Sequence, residues 1–266
     1  MNAEEHFNEY QNFGYTIFKS ILPLSLIRDL RLETDKAREI ARKANGAQTQ
    51  RLQPIGNYFD EIDSKPFDDY RTLPELNDLI HEMLSGDHEF GNPKTLGVLL
   101  EPAEKPYCTF WHRDWIDHMD KKIFDEKFSL RDDWIEQTSN IKYVGQVNCP
   151  LYEDNCTWYV PGSCFRAEAT REEEIVRDQC KNLNLDQLTN EERESACREY
   201  TQSMPNAIQL HLNPGDFALY QSSGWHIGNY VPYKKRATLH DGVFVGDLNL
   251  MSKDRWKLVG DAVKTE

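Results

Sequence analysis

The sequence predicts a mainly β fold with bracing helices, either a β-sandwich or a jelly roll. Short apolar runs bounded by Pro, Gly or charged residues recur from Thr95 onward, as strands of a two-layer core do. Helical spacing is concentrated in the N-terminal third and in one charged block between residues 170 and 202. No internal repeat, low-complexity tract or linker divides the chain. At 266 residues it suits one domain, 1–266, with a helical front over about 1–94 and a β core over about 95–250, interrupted by a helical insertion over about 165–206.

Taken in order, Gly14-Tyr15-Thr16-Ile17-Phe18 is an apolar strand. Leu26, Ile27, Leu30, Ala37, Ile40 and Ala41 then recur every three to four residues, the stripe of a helix lying on a core. Residues 44–75, with Gly46, Pro54, Gly56 and Pro66 among polar residues, are expected to be irregular. Leu73-Pro74-Glu75-Leu76 opens a second helix running to about Leu84, and a loop spans Gly86 to Pro93. The strands that follow are TLGVLL, CTFWHRD, IKYVGQVNC and CTWYVPGS. Beyond the insertion come Ala207–Leu212, the turn Asn213-Pro214-Gly215-Asp216, Phe217–Tyr220 and Ala237–Val245.

Charge narrows the function classes. Lys and Arg total 31 against 45 Asp and Glu, a formal charge of −14. This argues against tracking a nucleic-acid backbone or an anionic membrane surface, while leaving room for a local basic pocket. The opening residues lack a basic segment followed by an apolar run, and no stretch has transmembrane length. Six dispersed cysteines without Cys-x-x-Cys spacing suit reduced thiols, so a cytoplasmic location is expected. The expected partner is a small-molecule substrate; oligomeric state has no signature in the sequence.

Chemistry concentrates in WHRDWIDHMD, which holds His-x-Asp twice, at His112/Asp114 and His118/Asp120. Residues two apart share one face of an extended strand, so either pair can supply two ligands to one metal. A third ligand must come from elsewhere, and the histidines weighed for it are His226, after the small-residue loop Gln221–Trp225, and His211, inside an alternating strand.

The ordered set WHRD, YVPGS, NPGDFALY, His226 and, ten residues on, Arg236 resembles the phytanoyl-CoA dioxygenase family of iron(II)- and 2-oxoglutarate-dependent oxygenases. FGYTIFKSILPLSLIRDL is similar to that family's opening strand and helix. The resemblance implies a double-stranded β-helix (jelly roll, cupin-like), with His112, Asp114 and His226 binding Fe(II) and Arg236 binding the far carboxylate of the co-substrate 2-oxoglutarate. Arg113 is a further cofactor-binding candidate, its alternative being an ion pair with Asp117 or Glu153. Two imidazoles and one carboxylate leave metal positions open for a bidentate oxo acid and for O2. A guanidinium fork matches a carboxylate better than Lys234 or Lys235 does. His112-x-Asp114 is preferred over His118-x-Asp120 because it follows the apolar run Cys108–Trp111, whereas the second pair sits in a charged segment.

One departure is Cys164, where the family often has His after Pro-Gly-Ser. The expected activity is hydroxylation of a small metabolite or natural-product intermediate. Related halogenases lack the carboxylate that Asp114 supplies, which disfavours halogenation. The rivals are a cupin-like metal enzyme independent of 2-oxoglutarate and a non-catalytic jelly-roll binding module.

Overall fold

A computed structural model describes residues 1–84, 88–114, 144–166 and 168–245. The front comprises α1 (Ala3–Phe13), β1 (Tyr15–Phe18), α2 (Leu24–Asn45), β2 (Arg51–Leu52), α3 (Lys65–Arg71), α4 (Pro74–Leu84) and β3 (His88–Glu89). The strands β4 (Gly97–Leu100), β5 (Tyr107–Cys108), β6 (Val144–Pro150) and β7 (Thr157–Tyr159) follow. Helices α5 (Arg171–Gln179) and α6 (Asn190–Gln202) form the insertion, and β8 (Ile208–Gln209), β9 (Phe217–Tyr220), β10 (His226–Tyr230) and β11 (Ala237–Val245) complete the described core.

The strands make a jelly roll of two facing sheets. One runs β1-β9-β6-β11-β4-β2, with β3 joining β11; the other runs β5-β10-β7-β8. Strand alternation then assigns each face a task. Val98, Leu100, Val147, Cys149, Phe217, Leu219 and Leu239 pack outward against Leu26, Ile27 and Leu30 of α2 and Ile80 of α4. Their neighbours Leu99, Gln146, Asn148, Tyr220 and His240 face inward and line a cavity between the sheets. On the opposite side, Val176 of α5 and Cys197 and Tyr200 of α6 bury Trp111, Trp225 and Ile227.

Several expectations change. Residues 44–75 are ordered by buried anchors: Leu52 in β2, Ile55 opening a short 3-10 turn, and Phe67 and Tyr70 in α3. Pro66 lies in the first turn of α3, where a missing N–H costs no helical hydrogen bond, so it starts a helix rather than breaking one. The loop expected over Gly86 to Pro93 contains β3. Helix α1 was not anticipated, although Asn2 and Glu5 form a reciprocal capping box. Of CTFWHRD only Cys108 lies in a regular strand, as the end of β5, and β10 is an additional strand beginning at His226.

The turn motifs have structural work. Asp216 is fully buried, accepting hydrogen bonds from the backbone N–H of Ser20 and Asn213 and from Lys19 Nζ, which ties β1 to β9. Gly215 has φ +85°, and a Cβ there would stand 2.7 Å from Ile27 Cδ1, so only glycine suits this turn. All six cysteines are free thiols.

Candidate metal and co-substrate site

His112 and His226 face each other in an isolated antiparallel bridge, exchanging backbone hydrogen bonds of 3.2 and 3.1 Å. Their ring centroids are 4.3 Å apart. Asp114, two residues along, returns to the same side and is anchored by its N–H to Ser222 O at 2.8 Å. Its Oδ1 is 3.6 Å from His112 Nε2 and 3.9 Å from His226 Nε2. One potential ligand atom from each residue lies within 4.8 Å of the others.

Hydrogen bonding selects the tautomers. His112 Nδ1 is 2.6 Å from Phe110 O and His226 Nδ1 is 2.9 Å from Gly224 O. A carbonyl only accepts, so each Nδ1 carries hydrogen, which leaves Nε2, on the side of Asp114, as the nitrogen each ring can offer a metal. Two Nε2 atoms and a carboxylate are the donor set of a divalent transition metal with open positions. The residues present therefore fit the group.

The strand ends are braced from behind. Ser163 Oγ, in the Pro161-Gly162-Ser163 turn, accepts from Trp225 N and donates to Val160 O, holding the approach to His226. Trp225 Nε1 donates to Glu173 Oε2 at 3.1 Å, and Trp111 N donates to Tyr200 Oη at 3.2 Å. The insertion thus grips the residue before each histidine. Cys164, which follows Pro161-Gly162-Ser163, is buried beside Gly14 and Tyr159 and does not line the cavity.

The cavity has a volume of about 480 Å³, within the roughly 300–1,000 Å³ of small-molecule sites. It joins the triad to Arg236. Arg236 is buried, its Nε donating to Asp154 Oδ2 at 2.8 Å and its guanidinium 4.8 Å above the Tyr230 ring. Burial alone would raise the Asp154 carboxyl, but the Arg236 charge and hydrogen bonds from Thr238, Arg236 and the Cys156 N–H outweigh it and hold Asp154 below the usual range. Both terminal nitrogens of Arg236, Nη1 and Nη2, are buried with no partner among the described residues. Such donors are costly to leave unpaired, and a carboxylate fits them.

The structure brings His112, Asp114, His226 and Arg236 to one cavity. Arg113 corrects its expectation: it is absent from the lining and is buried with its guanidinium 4.8 Å over Trp225, because alternation sends the residue between two same-face ligands the other way. Glu153 pairs instead with Lys234, and Lys235 with Asp35, so the first two members of Lys-Lys-Arg are surface pairs and only the third turns inward. His211 is exposed, away from the cavity. His118 and Asp120 lie outside the described residues. Sequence reasoning missed Gln146, Asn148 and Asp154; period-two placement of Gln146 and Asn148 on a strand was the available signal.

No family model and no curated protein matches the sequence. Solved structures match its fold. The non-heme α-ketoglutarate-dependent epimerase SnoN of nogalamycin biosynthesis superposes with a TM-score of 0.54 at 13% identity, covering 91% of this chain and 80% of its own. The carbocyclase SnoK of the same biosynthesis gives 0.56 at 14%, over 93% and 87%. HygX from Streptomyces hygroscopicus, with nickel and 2-oxoglutarate bound, gives 0.57 at 11%, over 91% and 86%. Among the described residues, no helix is long and apolar enough to cross a membrane.

Proposed function

We propose that the chain is an Fe(II)- and 2-oxoglutarate-dependent oxygenase of the phytanoyl-CoA dioxygenase type that hydroxylates a small metabolite or natural-product intermediate. The observation that carries this reading is Arg236, whose two partnerless buried nitrogens open on the cavity that also holds His112, Asp114 and His226. The triad alone would serve many metal enzymes; a buried fork beside it asks for a carboxylate co-substrate. The metal and 2-oxoglutarate of HygX and the cofactor dependence of SnoN and SnoK support the same reading.

His112 and His226 would hold iron through Nε2 and Asp114 through a carboxylate oxygen. Bound there with 2-oxoglutarate and O2, the metal would supply oxidation of an unactivated C–H bond coupled to decarboxylation of the co-substrate to succinate and CO2. The chain's own residues orient and exclude. Arg236 receives the distal carboxylate, Asp154 keeps the fork from turning, and the Nδ1 hydrogen bonds keep both imidazoles aimed. Trp111 and Trp225 close the rear of the triad to water. As a ligand Asp114 would take the place a halide needs, which favours hydroxylation over halogenation.

The test is succinate release with Fe(II), ascorbate and 2-oxoglutarate, with and without metabolite mixtures. Release by the wild type and none by His226→Ala is the expected result. Iron uptake without 2-oxoglutarate turnover would point to a cupin-like enzyme of other chemistry, and no iron uptake to a binding module. Product analysis separates hydroxylation from epimerisation and ring closure, the activities of SnoN and SnoK.

A further inference from the structure

The inner face of the larger sheet is polar beside the triad. Gln146 and Asn148 stand two apart on β6, His240 is the register partner of Asn148 on β11, and all three line the cavity. The intervening Val147 and Cys149 point to the helical side.

Hydrogen-bond polarity along this row is set from one end. An ionised carboxylate only accepts, so the 3.4 Å contact between Gln146 Nε2 and Asp114 Oδ2 turns the amide nitrogen of Gln146 toward Asp114. The same nitrogen is 3.2 Å from His240 Nε2 and donates its second hydrogen there, which requires a bare Nε2. His240 therefore carries its hydrogen on Nδ1 and donates to Asn148 Oδ1 at 2.8 Å, while Asn148 Nδ2 donates to Thr157 Oγ1 at 2.9 Å. Burial, followed by the charges of Arg51 and Arg236, lowers His240 to about 3, so its ring is neutral, as this chain of bonds demands. One atom is left over: Gln146 Oε1 is buried with no partner among the described residues.

A buried acceptor without a donor costs about 1–3 kcal/mol, a cost that an O–H or N–H of a ligand removes. The 2-oxoglutarate dianion offers carboxylate and keto oxygens, all acceptors, so it cannot fill this role. We propose that Gln146 is a substrate-recognition residue whose Oε1 accepts a hydrogen bond from a hydroxyl or N–H of the primary substrate, selecting a donor-bearing polar molecule over a hydrocarbon or fully alkylated one. The inference rests on the oxygenase reading, because it takes Asp114 as an anion and the rest of the cavity as room for a second small molecule. Since Gln146 also touches Asp114, the substrate is registered against the metal by its polar group and not by an apolar body.

Matched probes test this on the protein loaded with Zn(II) and 2-oxoglutarate. Saturation-transfer NMR compares benzamide with N,N-dimethylbenzamide, and cyclohexane-1,2-diol with its dimethyl ether. In the wild type the donor-bearing member of each pair binds about tenfold tighter, the worth of one such hydrogen bond. In Gln146→Met that ratio falls to near one. Each ratio is taken within one protein, so a change in metal affinity in the variant cancels. Equal binding of the methylated members to the wild type, no binding of any member, or a ratio that persists in Gln146→Met overturns the proposal. If 2-oxoglutarate itself fails to bind, the oxygenase reading falls, while the ratios on the Zn(II) protein still report on Gln146.

Discussion

The two ends of the cavity are held by different physics. At the triad, two imidazoles sit on a backbone bridge, with apolar backing from Trp111, Trp225, Val176 and Tyr200. At the other end a permanent cation, Arg236, is buried in a polar network. Asp154 binds its side chain, Glu101 Oε2 accepts from its backbone N–H at 2.7 Å, and Arg38 Nη2 donates to its carbonyl at 2.8 Å. On the proposed reading the contrast follows from what each end would receive. A metal brings its own charge and needs only aimed lone pairs, whereas a carboxylate clamp must be charged beforehand and therefore needs a counter-ion in place. Geometry governs one end and charge compensation the other.

Substitutions can break that contrast at either end. The largest effect belongs to His226→Ala, expected to abolish turnover and iron binding with little change in the unfolding midpoint, since the backbone bridge survives. Parallel iron analysis and thermal melts check it, and a collapsed fold would mean that the ring carries structure as well. Asp154→Asn should do the reverse, destabilising the metal-free protein by about 3–5 kcal/mol in urea titrations by stranding a buried charge. Because the Asp154 carboxyl titrates below its ordinary 3.8, the stability it contributes is complete above that pH and is lost as the pH falls through the lower native value. The gap between wild type and Asp154→Asn should thus stay constant from neutral pH to about 5 and close only in strong acid.

Smaller effects sharpen the comparison. Arg236→Lys keeps the charge and loses the fork, so 2-oxoglutarate affinity should fall by about 1.5–3 kcal/mol, ten- to more than a hundredfold, with iron binding unchanged. Tyr200→Phe removes the hydroxyl that accepts from Trp111 N, at a cost of about 1 kcal/mol in stability. It should loosen iron and leave 2-oxoglutarate affinity per iron-loaded protein unaltered. A selective loss of 2-oxoglutarate there would show that the ends are not separable.

The resemblance carried by the ordered motifs singled out His112, Asp114, His226 and Arg236, which the structure brings to one cavity. The polar row was hidden. Gln146 and Asn148 alternate with Val147 and Cys149, a pattern identical to that of a strand with one face in water, and nothing local says that the polar face meets a cavity. Strand β10 was concealed by Gly228-Asn229, which suggest a turn; the glycine is required because a Cβ there would lie 1.9 Å from Tyr230 Oη. Helix α1 was legible in its Asn2-x-x-Glu5 cap and was overlooked beside the apolar strand that follows.

The most direct test of the account is an anaerobic titration of 2-oxoglutarate into the Fe(II)-loaded protein, followed by metal-to-ligand charge-transfer absorption. One equivalent should saturate the band in the wild type. The band should vanish in His226→Ala and keep its full amplitude with a raised midpoint in Arg236→Lys. No band in the wild type, or an unchanged midpoint in Arg236→Ala, would contradict the division of the cavity into a metal end and a carboxylate end.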